Sequence, residues 1–168
     1  VATPNIVVAT GAVAAPRRPD APIELKIPKI GVDAQIDTVG VDRTGAMATP
    51  TTPFRVGWYG LGVLPGDLGN AVIDGHLDSA VYGAAVFWRL GDLRPGDPIQ
   101  VRMPNNRTLT FVVEKSAVYP YNDAPLNDIF GPSNDARLNL ITCNGIFDRS
   151  SKNYNRRLVV YAKLAPTN

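Results

Sequence analysis

The chain of 168 residues holds one cysteine, Cys143, and one histidine, His76. A lone cysteine excludes an intramolecular disulfide, so no cross-linked framework staples the fold. One Cys and one His also fall short of the four ligands that a structural zinc site takes. Charge of either sign is in short supply: 17 Lys and Arg against 15 Asp and Glu leave a net charge of +2. A nucleic-acid binder needs a basic stripe, and only two basic doublets occur, Arg17-Arg18 and Arg156-Arg157. The first 22 residues contain neither a basic signal-peptide start nor an apolar run near the ~20 residues of a membrane helix. The P-loop, the zinc-protease helix and the glycine-flanked serine elbow are absent. Asp123, Asp128 and Asp135 are dispersed rather than clustered, so neither calcium nor any other metal or cofactor is expected.

What is present suits a globular domain. Hydrophobic residues make up 45% and charged residues 19% of the chain, which excludes a wholly disordered polypeptide. Fifteen glycines and fifteen prolines favour short strands and long loops over a helical bundle. Prolines at 4, 16, 19 and 22 mark residues 1–22 as a semi-extended Pro/Ala linker, leaving 23–168 as the folded domain. Ile23, Leu25 and Ile27 alternate with polar residues as a half-buried strand does, and Val32 to Ile36 follows. Residues 40–53 read as loop, Ala71 to Asp74 as a short buried strand, and Ala84 to Leu93 as a helix. Ile99 to Met103 and Leu109 to Val113 read as strands joined across Pro104-Asn105-Asn106, asparagine tolerating positive φ. Leu138 to Thr142 and Leu158 to Leu164 are further strands, with residues 119–135 and 144–156 as long loops. Six to eight short strands with one or two short helices predict a mainly-β protein, a small mixed or antiparallel barrel.

The two singletons are the candidates for chemistry. His76 follows an apolar strand and a glycine, and it opens a loop, where functional side chains tend to sit. Cys143 is read at a strand-to-loop edge, between Thr142 and Asn144-Gly145. A nucleophilic cysteine needs a basic or cationic partner, and such partners meet in space rather than in sequence. An arginine is the natural third member, because its guanidinium is always charged and offers a planar fork of donors. The doublet Arg156-Arg157 stands immediately before the apolar run of the last strand. Its members fall on opposite faces of the last strand, and both faces are apolar beyond the arginine, so alternation leaves the choice open.

At these residues the chain resembles the sortases, the cysteine transpeptidases of Gram-positive cell surfaces. The block LNLITCNG, residues 138–145, is similar to the family's Thr-Leu-x-Thr-Cys signature, with Asn139 in place of its first threonine. GNAVIDGHLDS, residues 69–79, resembles the histidine block, and VFWRLGDLRPGD, residues 86–97, the helix and turn after it. ITCNGIFDRSSKNYNRRLVVYAKL, residues 141–164, resembles actinobacterial class E and class F sortases, class F more closely. The likeness runs from Ile23 to Leu164. It implies an eight-stranded β-barrel behind an N-terminal membrane anchor, at the extracellular face of a Gram-positive cell membrane. It further implies cleavage of a Leu-Pro-x-Thr-Gly-like sorting signal through a thioester at Cys143. An amine such as a cell-wall precursor or a pilin lysine then takes the acyl group. His76, Cys143 and Arg157 are the implied catalytic residues, since the family's arginine directly precedes the final apolar run. Residues 119–135 and 144–155 are the expected substrate walls. Two rivals stand beside this reading: a thiol hydrolase on the same site, and a non-catalytic extracellular β-barrel binding domain with an inert buried cysteine.

Overall fold

The structure, a computed structural model, describes residue 15 and residues 18–167. The linker assigned to residues 1–22 therefore lies largely outside the described residues. Ten strands are seen: β1 (Glu24–Ile27), β2 (Val32–Val39), β3 (Val56–Tyr59), β4 (Gly69–Gly75), β5 (Asp78–Ser79), β6 (Gly83–Ala84), β7 (Pro98–Arg102), β8 (Thr108–Pro120), β9 (Ala136–Asp148) and β10 (Asn153–Leu164). Eight of them close a barrel in the order β1-β2-β3-β4-β9-β10-β8-β7, and β5 and β6 form a separate ribbon. The mainly-β barrel expected from the sequence is thus the observed fold. β2 pairs with β3 and β4 with β9 in parallel; the other barrel neighbours are antiparallel.

Alternation explains how these strands bury their side chains. In β2, Val32, Ala34 and Ile36 face inward while Asp33 and Gln35 face water. β4 is buried along its whole length, because both of its faces are covered. Ala71 and Ile73 of β4, Leu138 and Leu140 of β9, and Leu158, Val160 and Ala162 of β10 fill the barrel. The intervening residues Val72, Ile141, Val159 and Tyr161 point outward into a second core. That core is roofed by Met47 and Ala48 from the loop after β2, and by Ile129 and Phe130 of α1 (Leu126–Phe130).

Three local expectations are corrected. Ala84 to Leu93 is not an α-helix. The Ala85 and Phe87 amides bond the Leu77 and His76 carbonyls, and the Val86 amide bonds Pro53. With these donors taken by distant partners the segment cannot build a helical ladder. It passes from β6 through a turn at 86–89, where the Trp88 amide bonds the Ala85 carbonyl, into a short 3₁₀ turn at Leu90–Asp92. Residues 119–135 are not all loop: β8 reaches Pro120, and α1 follows Pro125, folding because it buries Ile129 and Phe130. Residues 144–156 form a hairpin rather than a polar loop. Asp148 caps its turn through Ser150 and Ser151, and those hydrogen bonds hold its carboxyl at about 2. The Asn105 and Asn106 turn does take positive φ, at 65° and 59°.

Candidate active site

β9 continues five residues past Cys143 to Asp148, so this cysteine lies within a strand and not at a strand end. Its Cα partner across the β9–β10 ladder is Arg157. Directly opposed residues of an antiparallel pair share a face with Cβ atoms roughly 4.5–5.5 Å apart. This register separates the two arginines in space: Arg157 shares the outer face with Cys143, whereas Arg156 pairs with Asn144 and is exposed. His76 follows β4, whose parallel register with β9 sets Asp74 beside Ile141. Carried two residues on, just past the end of β4, that register sets His76 level with Cys143. Thr142 ties the strands there, its hydroxyl donating to the Gly75 carbonyl at 2.8 Å. The structure brings all three residues singled out in the sequence to one end of the β4–β9–β10 surface.

Gly75 lets this end of β4 exist. A Cβ on it would sit 2.7 Å from the Phe87 ring, which packs over the strand just before the histidine. His76 Nε2 lies 2.6 Å from the carbonyl oxygen of the buried Pro50. A carbonyl only accepts, so Nε2 carries the hydrogen and Nδ1 is the nitrogen free to exchange a proton.

Arg157 is 1% exposed. Its Nη1 donates to the Tyr154 and Arg156 carbonyls at 2.9 and 2.8 Å, and its Nη2 to Asn153 Oδ1 at 2.8 Å. Its Nε is buried without a hydrogen-bond partner, and the guanidinium lies 5.8 Å from the centre of the Tyr121 ring. The β10 backbone thus holds this arginine in place as a fixed charge beside the sulfur. Burial lowers the Arg157 pKa, while Cys143 and Tyr121 work the other way.

Cys143 is half-buried, and burial pushes its thiol pKa up. Arg157 opposes that rise; Asp74 and Asp78 reinforce it. Desolvation outweighs the guanidinium, so the thiol is the dominant resting form at neutral pH. Both aspartates escaped the sequence reading. Asp74 is 7% exposed, its Oδ1 has no hydrogen-bond partner, and burial raises its pKa well above the carboxylate range. It fits only because Gly57 has no side chain: a Cβ there would lie 2.7 Å from Asp74 Oδ1. Asp78 accepts a hydrogen bond from the Tyr154 hydroxyl, linking the segment after His76 to the start of β10. Burial and Asp78 together push the Tyr154 phenol up to about 12. The spacing of Asp74, His76 and Asp78 at every second position was the available signal.

Asn139, which replaces the signature threonine, is fully buried on the same face. Its amide donates to Asn70 Oδ1 at 3.0 Å and to the Ile129 carbonyl at 2.8 Å, and Asn70 donates to the Gly131 carbonyl at 2.8 Å. These bonds fasten α1 over the outer core. Among the described residues no group of three or more His, Cys, Asp or Glu is arranged to hold a metal ion. No helix among them is long and apolar enough to cross a membrane.

Comparison with known proteins points one way. The sortase domain family matches residues 25–165. Sortase A from Corynebacterium diphtheriae is 26% identical with a TM-score of 0.66, over 90% of this chain and 63% of that one. The pilus-related sortase C of Group B Streptococcus is 18% identical with a TM-score of 0.74, over 99% of this chain and 80% of that one. Streptococcus agalactiae sortase C1, solved in complex with MTSET, is 18% identical with a TM-score of 0.66, over 87% and 68%. The chain spans about two thirds of the length of the first and third of these. No curated protein sequence shows a significant match.

Proposed function

Because the chain belongs to the sortase family, we propose that it is a cysteine transpeptidase in which Cys143 is the nucleophile, His76 the proton carrier and Arg157 the stabiliser of negative charge. The observation that carries this reading is the pairing of Cys143 with Arg157 on adjacent strands, with His76 at the end of the next strand over. Acyl transfer needs those three roles within reach of one carbonyl. The Cys143 thiolate attacks the carbonyl carbon of a scissile peptide. His76, protonated, gives its Nδ1 proton to the departing amine, and the C–N bond breaks to leave a thioester on Cys143. An incoming amine then attacks the thioester and gives a proton to Nδ1. The C–S bond breaks, and thiolate and imidazolium are restored.

The finer assignment follows the motifs. The substrate is a Leu-Pro-x-Thr-Gly-like signal on surface proteins, and the acceptor is a primary amine of the cell wall or a pilin lysine. Residues 23–168 are the catalytic domain, and residues 1–22 a linker behind a membrane anchor on the extracellular face of a Gram-positive cell. The class F likeness of residues 141–164 makes an actinobacterial type of enzyme the working assignment. The test is to mix the protein with a fluorogenic sorting peptide and triglycine. Ligated product and a thioester on Cys143, seen by mass spectrometry, are expected; cleavage that persists in Cys143→Ala overturns the assignment.

The upward push on the Cys143 thiol favours a second reading, a binding barrel with an inert cysteine. Iodoacetamide separates the two. An active thiol is alkylated with a rate that climbs through and beyond the ordinary cysteine pKa of about 8.5, whereas an inert one stays unlabelled in the folded state.

A further inference from the structure

Asp78 sits poorly with the first half of the proposed reaction. A carboxylate near a nucleophilic sulfur opposes the thiolate, and here Asp78 adds to the rise in the Cys143 pKa. Nor is it a mobile surface group. It lies in β5, paired with Ala84 of β6, and the neighbouring Leu77 carbonyl is bound by the Ala85 amide. Its Oδ2 is held by Tyr154, whose carbonyl in turn accepts from Arg157 and whose ring meets Phe147 edge-on at 5.2 Å. The fold therefore builds a fixed, half-buried carboxyl group two residues past His76, tied through Tyr154 to the strand that carries Arg157, the cross-strand partner of Cys143.

That placement suits the second half of the reaction. Once the sulfur is acylated it carries no negative charge, and the anion no longer opposes anything. The acceptor, by contrast, arrives as a cation: α-amines and lysine amines have pKa values of about 8 and about 10.4. A carboxylate accepts about four hydrogen bonds, of which Tyr154 supplies one to Oδ2. Arg157, the nearby cation, has its Nη groups committed to the β10 backbone and Asn153.

We propose that Asp78, held by Tyr154, is the subsite that binds the ammonium form of the acceptor amine beside the acylated Cys143. The inference rests on the transpeptidase reading above. The bound ammonium releases one proton to water, matching the proton that the departed amine takes up there. Its second proton passes to His76 Nδ1 as the new C–N bond forms and the C–S bond breaks.

The test compares two acceptors on the acylated enzyme at about pH 7: triglycine amide, whose amino group is a cation and which carries no carboxylate, and hydroxylamine, a much weaker base that is uncharged there. The readout is the ratio of their second-order deacylation rates. Asp78→Asn is expected to lower the ratio of triglycine amide to hydroxylamine about tenfold, in keeping with loss of one half-buried charge contact. Asp78→Glu, which keeps the charge, is expected to restore most of it. In the unmodified protein, raising the salt concentration is expected to lower the same ratio, which serves if a variant fails to fold. A ratio that does not move in Asp78→Asn or with salt overturns the subsite, and so does an equal fall for both acceptors. Failure of the underlying reading looks different: no thioester forms on Cys143 with any acceptor.

Discussion

The two faces of β4, β9 and β10 use the same strands to opposite ends. Inward, Ala71, Ile73, Leu138, Leu140, Leu158, Val160 and Ala162 are apolar, and Thr142 gives its hydroxyl to the Gly75 carbonyl. Outward, Asp74, Asn139, Cys143 and Arg157 alternate among Val72, Ile141, Val159 and Tyr161. Burial of the inner row is favourable at each apolar position, roughly 1.5–3 kcal/mol for a Val- or Leu-sized side chain. Burial on the outer row is costly wherever a polar atom goes unpaired, and Asp74 Oδ1, Asn139 Oδ1 and Arg157 Nε all do. The inner face therefore supplies stability, and the outer face spends some of it to hold a thiol, an imidazole and a guanidinium close together.

Substitutions on either face test this division, and the largest effect concerns turnover. Cys143→Ala and His76→Ala are each expected to abolish peptide cleavage while Tm hardly moves, because no second Cys or His can substitute. Leu140→Ala, three residues before Cys143 and on the inner face of β9, should do the reverse. A loss of about 2–5 kcal/mol in stability is expected, with the rate per folded molecule kept. Denaturant titration alongside cleavage kinetics checks both. A rate loss in Leu140→Ala matching that of Cys143→Ala would break the division.

Next in size is Arg157. If it steadies the developing oxyanion, its removal costs on the order of 10²–10³ in rate, roughly 3–4 kcal/mol. Arg157→Lys is expected to be nearly as damaging as Arg157→Ala. An ammonium cannot reproduce the fork that reaches the Tyr154 and Arg156 carbonyls and Asn153 together. Arg156→Ala, on the exposed side, should be mild. Measuring kcat/KM and Tm for all three separates a chemical role from a structural one. Full activity in Arg157→Lys would reduce the arginine to a point charge.

A smaller effect is expected from Asn139→Ala. It strands Asn70 Oδ1 and the Ile129 carbonyl beneath α1, at about 1–3 kcal/mol for each buried group left unpaired. If residues 119–135 form a substrate wall, KM for the sorting peptide should rise as well, with the α1 amides losing protection in hydrogen exchange.

The smallest concerns pH. Asp74 has a folded pKa raised by burial, so the folded state holds this proton more tightly than the unfolded chain does. The stability it contributes is complete below the unfolded pKa of about 3.9 and is lost as pH rises toward the folded value. Asp74→Asn should therefore flatten the decline in stability above about pH 4, with a change on the order of 1 kcal/mol at neutral pH. Melting curves across pH check this, and an unchanged slope would show that the carboxyl ionises as freely in the folded state as in the unfolded one.

Much of this molecule is legible in its residues alone. The alternation in β1, the apolar run of the final strand, the breakers between elements and the singular Cys143 and His76 are local or compositional, and they follow from side-chain period and residue chemistry. Tertiary structure decided what depends on pairing between distant segments. Alternation cannot rank Arg156 against Arg157, because only the register with β9 says which of them shares a face with Cys143. Residues 84–93 have helix-compatible content, yet partners at His76, Leu77 and Pro53 take their amides. The histidine's free nitrogen was settled by Pro50, 26 residues earlier in the chain. Asp74 and Asp78 look alike in sequence, flanking His76 symmetrically. One became a buried carboxyl with an unpartnered oxygen and the other a half-buried, tyrosine-held one, because Gly57 and Tyr154 reach them from strands on opposite sides of the site.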